Sequence, residues 1–288
     1  MNLDGMWNKF TPALAALTIA LVITLYGTSS TSNPAASPAD RAREDLSRFA
    51  YPSLKGIKWG AHFIMPHESL ERLFGDNWIY AARFNRIDRR HVYPGMTIKV
   101  PQSMEAIKNY NPLPLQYEPA KKYPKYILVD VTEQWLAAYD YGTLSFSTPA
   151  ATGIEGHLAP VGMFTVNARH KNHTSSLYKT QKGDAQYPMD YALRFYVDPD
   201  NVAYWIHARD LPGRPASHGC IGVFDEFMQN RTYGWPEKPV LSDASKLYYW
   251  VDENRDEDES RIAFIEDGPT VEIRGELPKY LAAPSGLQ

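Results

Sequence analysis

The sequence predicts a mostly β chain: a β-sandwich domain with short helices, preceded by a small α+β unit and an N-terminal membrane segment. Three observations carry this. From Tyr126 onward apolar and polar residues alternate in short runs divided by turn residues; between Met65 and Pro101 two helical stripes precede a strand pattern; and Phe10 to Tyr26 contains no charge. With 288 residues, 44% hydrophobic and 22% charged, the chain has room for one large or two moderate folded domains. The formal charge is -3, with acidic residues gathered in Asp252 to Ser260, so no global basic field exists to hold nucleic acid.

Residues 1–27 read as a membrane anchor or signal segment. "FTPALAALTIALVITLY", preceded by Lys9, is longer than a usual signal-peptide apolar region and close to the lower limit for a spanning helix. An uncleaved anchor is the preferred reading, with a cleaved signal as the alternative; either predicts an extracytoplasmic location in the cell envelope. The polar, Pro- and Ser-containing stretch that follows makes residues 28–55 a linker. In residues 56–105, Leu70, Leu73, Phe74, Ile79, Ala82 and Phe84 mark two short amphipathic helices, and "PGMTIKVP" places a turn before an alternating strand. The four prolines of "NPLPLQYEPAKKYPK" make residues 106–125 a second, extended linker. Within 126–275, "YILVDV", "MFTVNA", "YALRFYV", "VAYWIHA" and "TVEIRG" read as strands. "SDASKLYYWV" alone is convincingly helical, with Ser242 or Asp243 as its cap. Residues 276–288 form a tail.

The chemistry centres on Cys220, the sole cysteine of the chain. An exported chain with one cysteine forms no internal disulfide, and this one lies too far from the terminus to carry a lipid. It follows Ser217, His218 and Gly219, thirteen positions after His207, with a Gly- and Pro-containing loop between. A thiolate attacks carbonyl carbon, and an imidazole can lower the thiol pKa and accept its proton. Gly219 leaves its backbone uncrowded, so amides around Gly219 and Cys220 can face an oxyanion. A buried cysteine that only packs remains the alternative from these residues alone.

"SHGC" with an upstream "IH" resembles the signature of the L,D-transpeptidase family, whose catalytic domain is called YkuD-like. "TGIEGHLAPVGMFTV", Thr152 to Val166, is similar to that family's strand and loop, and the likeness spans about Tyr126 to Gly275. It implies a YkuD-like catalytic domain with Cys220 as nucleophile, His207 as general base and the carbonyl of Ala208 orienting that base. Ser217, His218 and Gly219 then shape the pocket, while His157, by its place in the upstream loop, either borders the pocket or is simply exposed. The implied reaction is attack on the third residue of a peptidoglycan tetrapeptide stem, release of D-Ala and transfer to an amine, with no metal or organic cofactor. The order helix, helix, strand, with Asn85 before the turn, resembles a LysM module, which implies binding of glycans containing N-acetylglucosamine.

Two departures from the family pattern stand out: Ala159 replaces Thr before the loop proline, and Gly222 replaces Arg two positions after the cysteine. Arg209 and Arg214 flank the site, and Arg214 is the expected substitute for holding a carboxylate. His170 and His173 read as solvated loop rather than metal ligands. Two rivals to the transpeptidase reading are an L,D-carboxypeptidase or endopeptidase using water as acceptor, and a non-catalytic glycan-binding envelope protein.

Overall fold

The structure is a computed structural model that describes residues 44–180, 183–253 and 261–281. The predicted membrane segment, the linker up to residue 43 and the end of the tail lie outside the described residues. Among those described, no helix is long and apolar enough to cross a membrane.

Strand β1 (Phe49–Ala50) is followed by an α+β unit of β2 (Trp59–Phe63), α1 (Leu70–Phe74), α2 (Trp78–Asn85) and β3 (Thr97–Pro101). Ser69 caps α1 by accepting the Arg72 amide, and Gly75, at φ 54°, ends it. β2 pairs antiparallel with β3, Trp59 facing Pro101 and Phe63 facing Thr97. Asn85 ties the helices to this ribbon: its Oδ1 accepts the Lys99 amide at 2.8 Å and its Nδ2 donates to the Lys99 carbonyl at 2.8 Å. Leu70, Ala82, Ile64, Met96 and Ile98 close the small core beneath.

The larger unit contains β4 (Lys125–Asp130), β5 (Trp135–Asp140), β6 (Thr143–Ala151), β7 (Gly162–Thr165), β8 (Ala168–Lys179), β9 (Gln186–Val197), β10 (Ala203–Arg209) and β11 (Ile221–Phe224). Helices α3 (Glu226–Tyr233) and α4 (Asp243–Val251) follow, then β12 (Ala263–Phe264), β13 (Thr270–Arg274) and β14 (Lys279–Tyr280). Ten of these strands form one sheet in the order β12-β8-β9-β10-β11-β6-β5-β4-β13-β7. The expected sandwich is therefore a single curled sheet. The reason lies in β6, whose residues 143–149 pair with β5 while Ala150 and Ala151 pair with β11, so one strand serves both layers. Ile127, Val129, Leu136 and Val271 from one side meet Leu193, Ile206, Ile221 and Val223 from the other, with Leu247 and Tyr248 of α4 among them.

Both expected linkers are packed where described. β1 pairs with β14, so the end of the first linker and the start of the tail zip together, and Arg48 Nε donates to the Leu281 carbonyl at 2.6 Å. In the Pro-rich stretch Leu113 and Ala120 are buried, and Tyr117 donates its hydroxyl to Glu272 at 2.7 Å. Prolines keep this segment out of the ladders without keeping it off the protein. The α+β unit is likewise welded to the larger one: buried Arg86 bonds Glu133, Arg89 grips Glu226, and Asp88 donates its amide to the Leu211 carbonyl at 2.9 Å.

Candidate active site

β10 and β11 run parallel, and this pairing builds the site. Ile206 faces Ile221, His207 faces Gly222 and Ala208 faces Val223. Side chains alternate, so Ile206, Ala208, Ile221 and Val223 enter the core while His207, Arg209, Gly222 and, one residue before β11, Cys220 share the opposite face. Cys220 packs there against Met189, Ala192 and Trp205.

His207 is buried, and its Nδ1 lies 2.7 Å from the Ala208 carbonyl. A carbonyl only accepts, so Nδ1 carries the proton and Nε2 of the neutral ring keeps its lone pair. Burial pushes the imidazole down to about 3, partly opposed by the bond to Ala208. The thiol of Cys220 is pushed up by burial, against the opposing influences of the Trp205 backbone and the Arg209 charge. At rest the two groups are thus a neutral thiol and a neutral base, not the thiolate expected from an imidazole neighbour. The β9–β10 ladder slips its register between Tyr204 and Trp205, beside the cysteine.

The loop before Cys220 is clamped by the loop after β6. Thr152 carbonyl accepts the amides of Ala216 and Ser217, and the Ser217 carbonyl accepts the Ile154 amide at 2.9 Å. Ser217 is buried and acts through this backbone. Gln134, which sequence reasoning missed, holds Thr152 by accepting its amide at 2.9 Å and donating to its hydroxyl at 2.6 Å. Gly219 adopts φ 112°, and a Cβ there would stand 2.6 Å from the Tyr204 ring. Any side chain there would be strained by the backbone and would press on that ring.

His218 is exposed between two rings, stacked on Tyr178 at 4.4 Å and set edgewise to exposed His157 at 4.8 Å. His157 is thus brought against His218, two residues before Cys220. Tyr178 had no sequence signal, because the polar strand β8 was expected to be loop. The same error misplaced His170 and His173: both lie on β8, with Nδ1 atoms 3.0 Å apart and the His173 ring tilted against that of Trp205, centroids 4.3 Å apart. β8 is strand because β9 pairs along it, from Ala168 opposite Arg194 to Lys179 opposite Gln186. Among the described residues no cluster of three or more His, Cys, Asp or Glu side chains is arranged to hold a metal.

Arg214 is engaged outside the loop that holds Cys220. Its Nε is taken by Glu44, a residue in the stretch expected to be linker. Arg209 is the cation beside the thiol. Ala159 is buried in the main core, where a methyl packs and a hydroxyl would need a partner.

A family model described as YkuD, L,D-transpeptidase catalytic domain, matches residues 124–273. No curated protein matches the chain. Among solved structures, an L,D-transpeptidase from Stackebrandtia nassauensis is 21% identical at a TM-score of 0.36, over 55% of this chain and 58% of that one. L,D-transpeptidase 3 from Mycobacterium tuberculosis is 16% identical at a TM-score of 0.36, over 53% and 61%. An Enterococcus faecium L,D-transpeptidase is 19% identical at 0.33, over 52% and 50%. The matches thus span between half and about six tenths of those chains.

Proposed function

The match covers just over half of the chain, which belongs to the YkuD family of L,D-transpeptidase catalytic domains, and from that premise we propose a cysteine-dependent acyltransferase acting on peptidoglycan stem peptides. The observation that carries this reading is the register of β10 on β11, which puts a buried base with its lone pair on Nε2 on the same face as the chain's only thiol.

In the proposed reaction, His207 Nε2 takes the proton of Cys220 as Sγ bonds to the carbonyl carbon of the third stem residue. Negative charge develops on the carbonyl oxygen and is met by amides around Gly219 and Cys220. As the C–N bond to the terminal D-Ala breaks, His207 returns the proton to the leaving amine and a thioester remains. An acceptor amine then attacks that carbonyl and gives its proton to His207; as the C–S bond breaks, His207 passes that proton to the departing Cys220 sulfur, restoring the neutral pair. Ala208 keeps the imidazole in one tautomer throughout. A neutral resting pair suits this sequence, because proton transfer then accompanies attack and neither reacting group is charged beforehand.

Residues 56–105 are proposed to hold the glycan strand. The strand, helix, helix, strand order and the pin from Asn85 to β3 support that reading. The apolar run from Phe10 is proposed to tether the enzyme outside the cytoplasm. The test is product mass: with a tetrapeptide muropeptide and an added amine, the expected products are free D-Ala and the amine-linked tripeptide. A hydrolysed tripeptide alone, unchanged by the amine, gives the carboxypeptidase instead, and no product from folded protein removes the enzyme.

A further inference from the structure

Gly222 needs a physical reason, because it lies mid-strand where glycine weakens a ladder. A Cβ at this position would stand 2.3 Å from Arg209 Cδ, 2.6 Å from its Cβ and 2.9 Å from its Cγ. Those atoms are the stem of the side chain, not a free end that could swing away. Arg209 thus crosses the bare backbone of Gly222, on the face it shares with His207. Its Nη2 donates at 2.6 Å to the carbonyl of Ala216, the residue that opens the turn into Ser217 and Cys220. Its Nε is buried and finds no acceptor among the described residues. The guanidinium also stands 5.8 Å from the Tyr187 ring, whose hydroxyl is held by Asp210 at 2.6 Å.

We propose that Arg209 is the positioning cation of this site and that Gly222 is glycine to make room for it: the guanidinium anchors the Ala216 carbonyl, fixes the turn that presents Cys220, and keeps a permanent positive charge beside the nucleophile. This rests on Cys220 being the nucleophile. A planar fork is suited to the task, since one nitrogen can bind the turn while the charge is spread towards the sulfur. The titratable groups around the thiol are His207 and Tyr204 on β10, Tyr178 on β8 and His218 on the loop itself. Burial pushes both histidines down and both tyrosines up, so each tends to be neutral. Asp210, held low by His91 and Arg209 against its burial, acts on His207, whereas Arg209 is the charge that acts on the thiol, and it favours the thiolate.

The experiment is the pH dependence of iodoacetamide alkylation at Cys220 in the full chain, where the sole cysteine makes the signal unambiguous. It uses no peptidoglycan, so its failure is distinct from failure of the transpeptidase reading. Arg209→Met should move the profile to higher pH and slow alkylation at pH 7 about tenfold. Gly222→Ala should shift it the same way by displacing the arginine. Arg209→Lys keeps the charge and should stay within about threefold of the parent, and circular dichroism identifies any variant that has not folded. An unmoved profile in Arg209→Met, or a Gly222→Ala profile that stays put, overturns the proposal. Should Arg209→Met not fold, Arg209→Lys decides alone, and a tenfold loss there overturns it.

Discussion

Arg89→Ala should cost the fold about 3–5 kcal/mol, the range for stripping one partner from a buried ion pair. The Glu226 side chain is fully buried, and its carboxylate accepts Arg89 Nε at 2.7 Å, Arg89 Nη2 at 2.6 Å and the amides of Val240 and Leu241 at 2.6 and 3.1 Å. Removing the arginine takes both charge-assisted bonds and leaves two amides to hold a buried charge. Contact with the Trp78 ring, 4.4 Å from the guanidinium, adds roughly 0.5–1 kcal/mol. The pair with Glu71, whose side chain is 37% exposed, adds little. Urea unfolding followed by tryptophan fluorescence and far-UV circular dichroism reads the loss, and coincident transitions are expected because the pair joins the α+β unit to α3. Adding Glu226→Gln should recover part of it by neutralising the stranded carboxylate. A loss below about 1 kcal/mol, or two separate transitions, would refute the claim that the units fold as one body.

Gly219→Ala should cost about 1–3 kcal/mol in backbone strain at φ 112° and at least tenfold in acylation of Cys220, measured by adduct mass against time. Adding Tyr204→Ala should relieve only the clash with the ring, so an unimpaired Gly219→Ala enzyme contradicts the loop geometry. Burial holds His207 at about 3 and His173 at about 4, with the neighbouring His170 adding to the latter, whereas an unfolded histidine titrates near about 6.5. The unfolded chain therefore binds these protons first, and their contribution, complete above about 6.5, is lost as pH falls towards about 3. His207→Gln should flatten that slope, read from urea midpoints at pH 7, 5 and 4, and an identical slope would show that the imidazole is not held neutral.

The sequence carried the site where its chemistry is local. His207 lies on β10, and Gly219 and Cys220 lie in the turn that leads into β11, patterns visible in a short window, and the parallel pairing of β10 with β11 explains why thirteen residues suffice to bring them to one face. What escaped depends on contacts between distant segments. Arg214 flanks the cysteine in sequence, yet its partner is Glu44, 170 positions away. Gln134 holds the Thr152 loop from the far end of a hairpin, and no periodicity marks it. β8 alternates polar with partly buried residues, so a hydrophobic pattern could not distinguish it from loop. Proline content identified residues 106–125 as irregular, but irregular backbone can still pack, as Leu113 and Tyr117 do.

Intact mass of the protein with a tetrapeptide donor, followed by peptide mapping, tests the nucleophile most directly. The chain should gain the mass of the acylated stem less D-Ala, the modification should map to Cys220, Cys220→Ser should gain no comparable adduct, and His207→Ala should acylate orders of magnitude more slowly while staying folded. Label at another residue, or unmodified folded protein after prolonged incubation, would contradict the assignment of Cys220 as the acyl carrier.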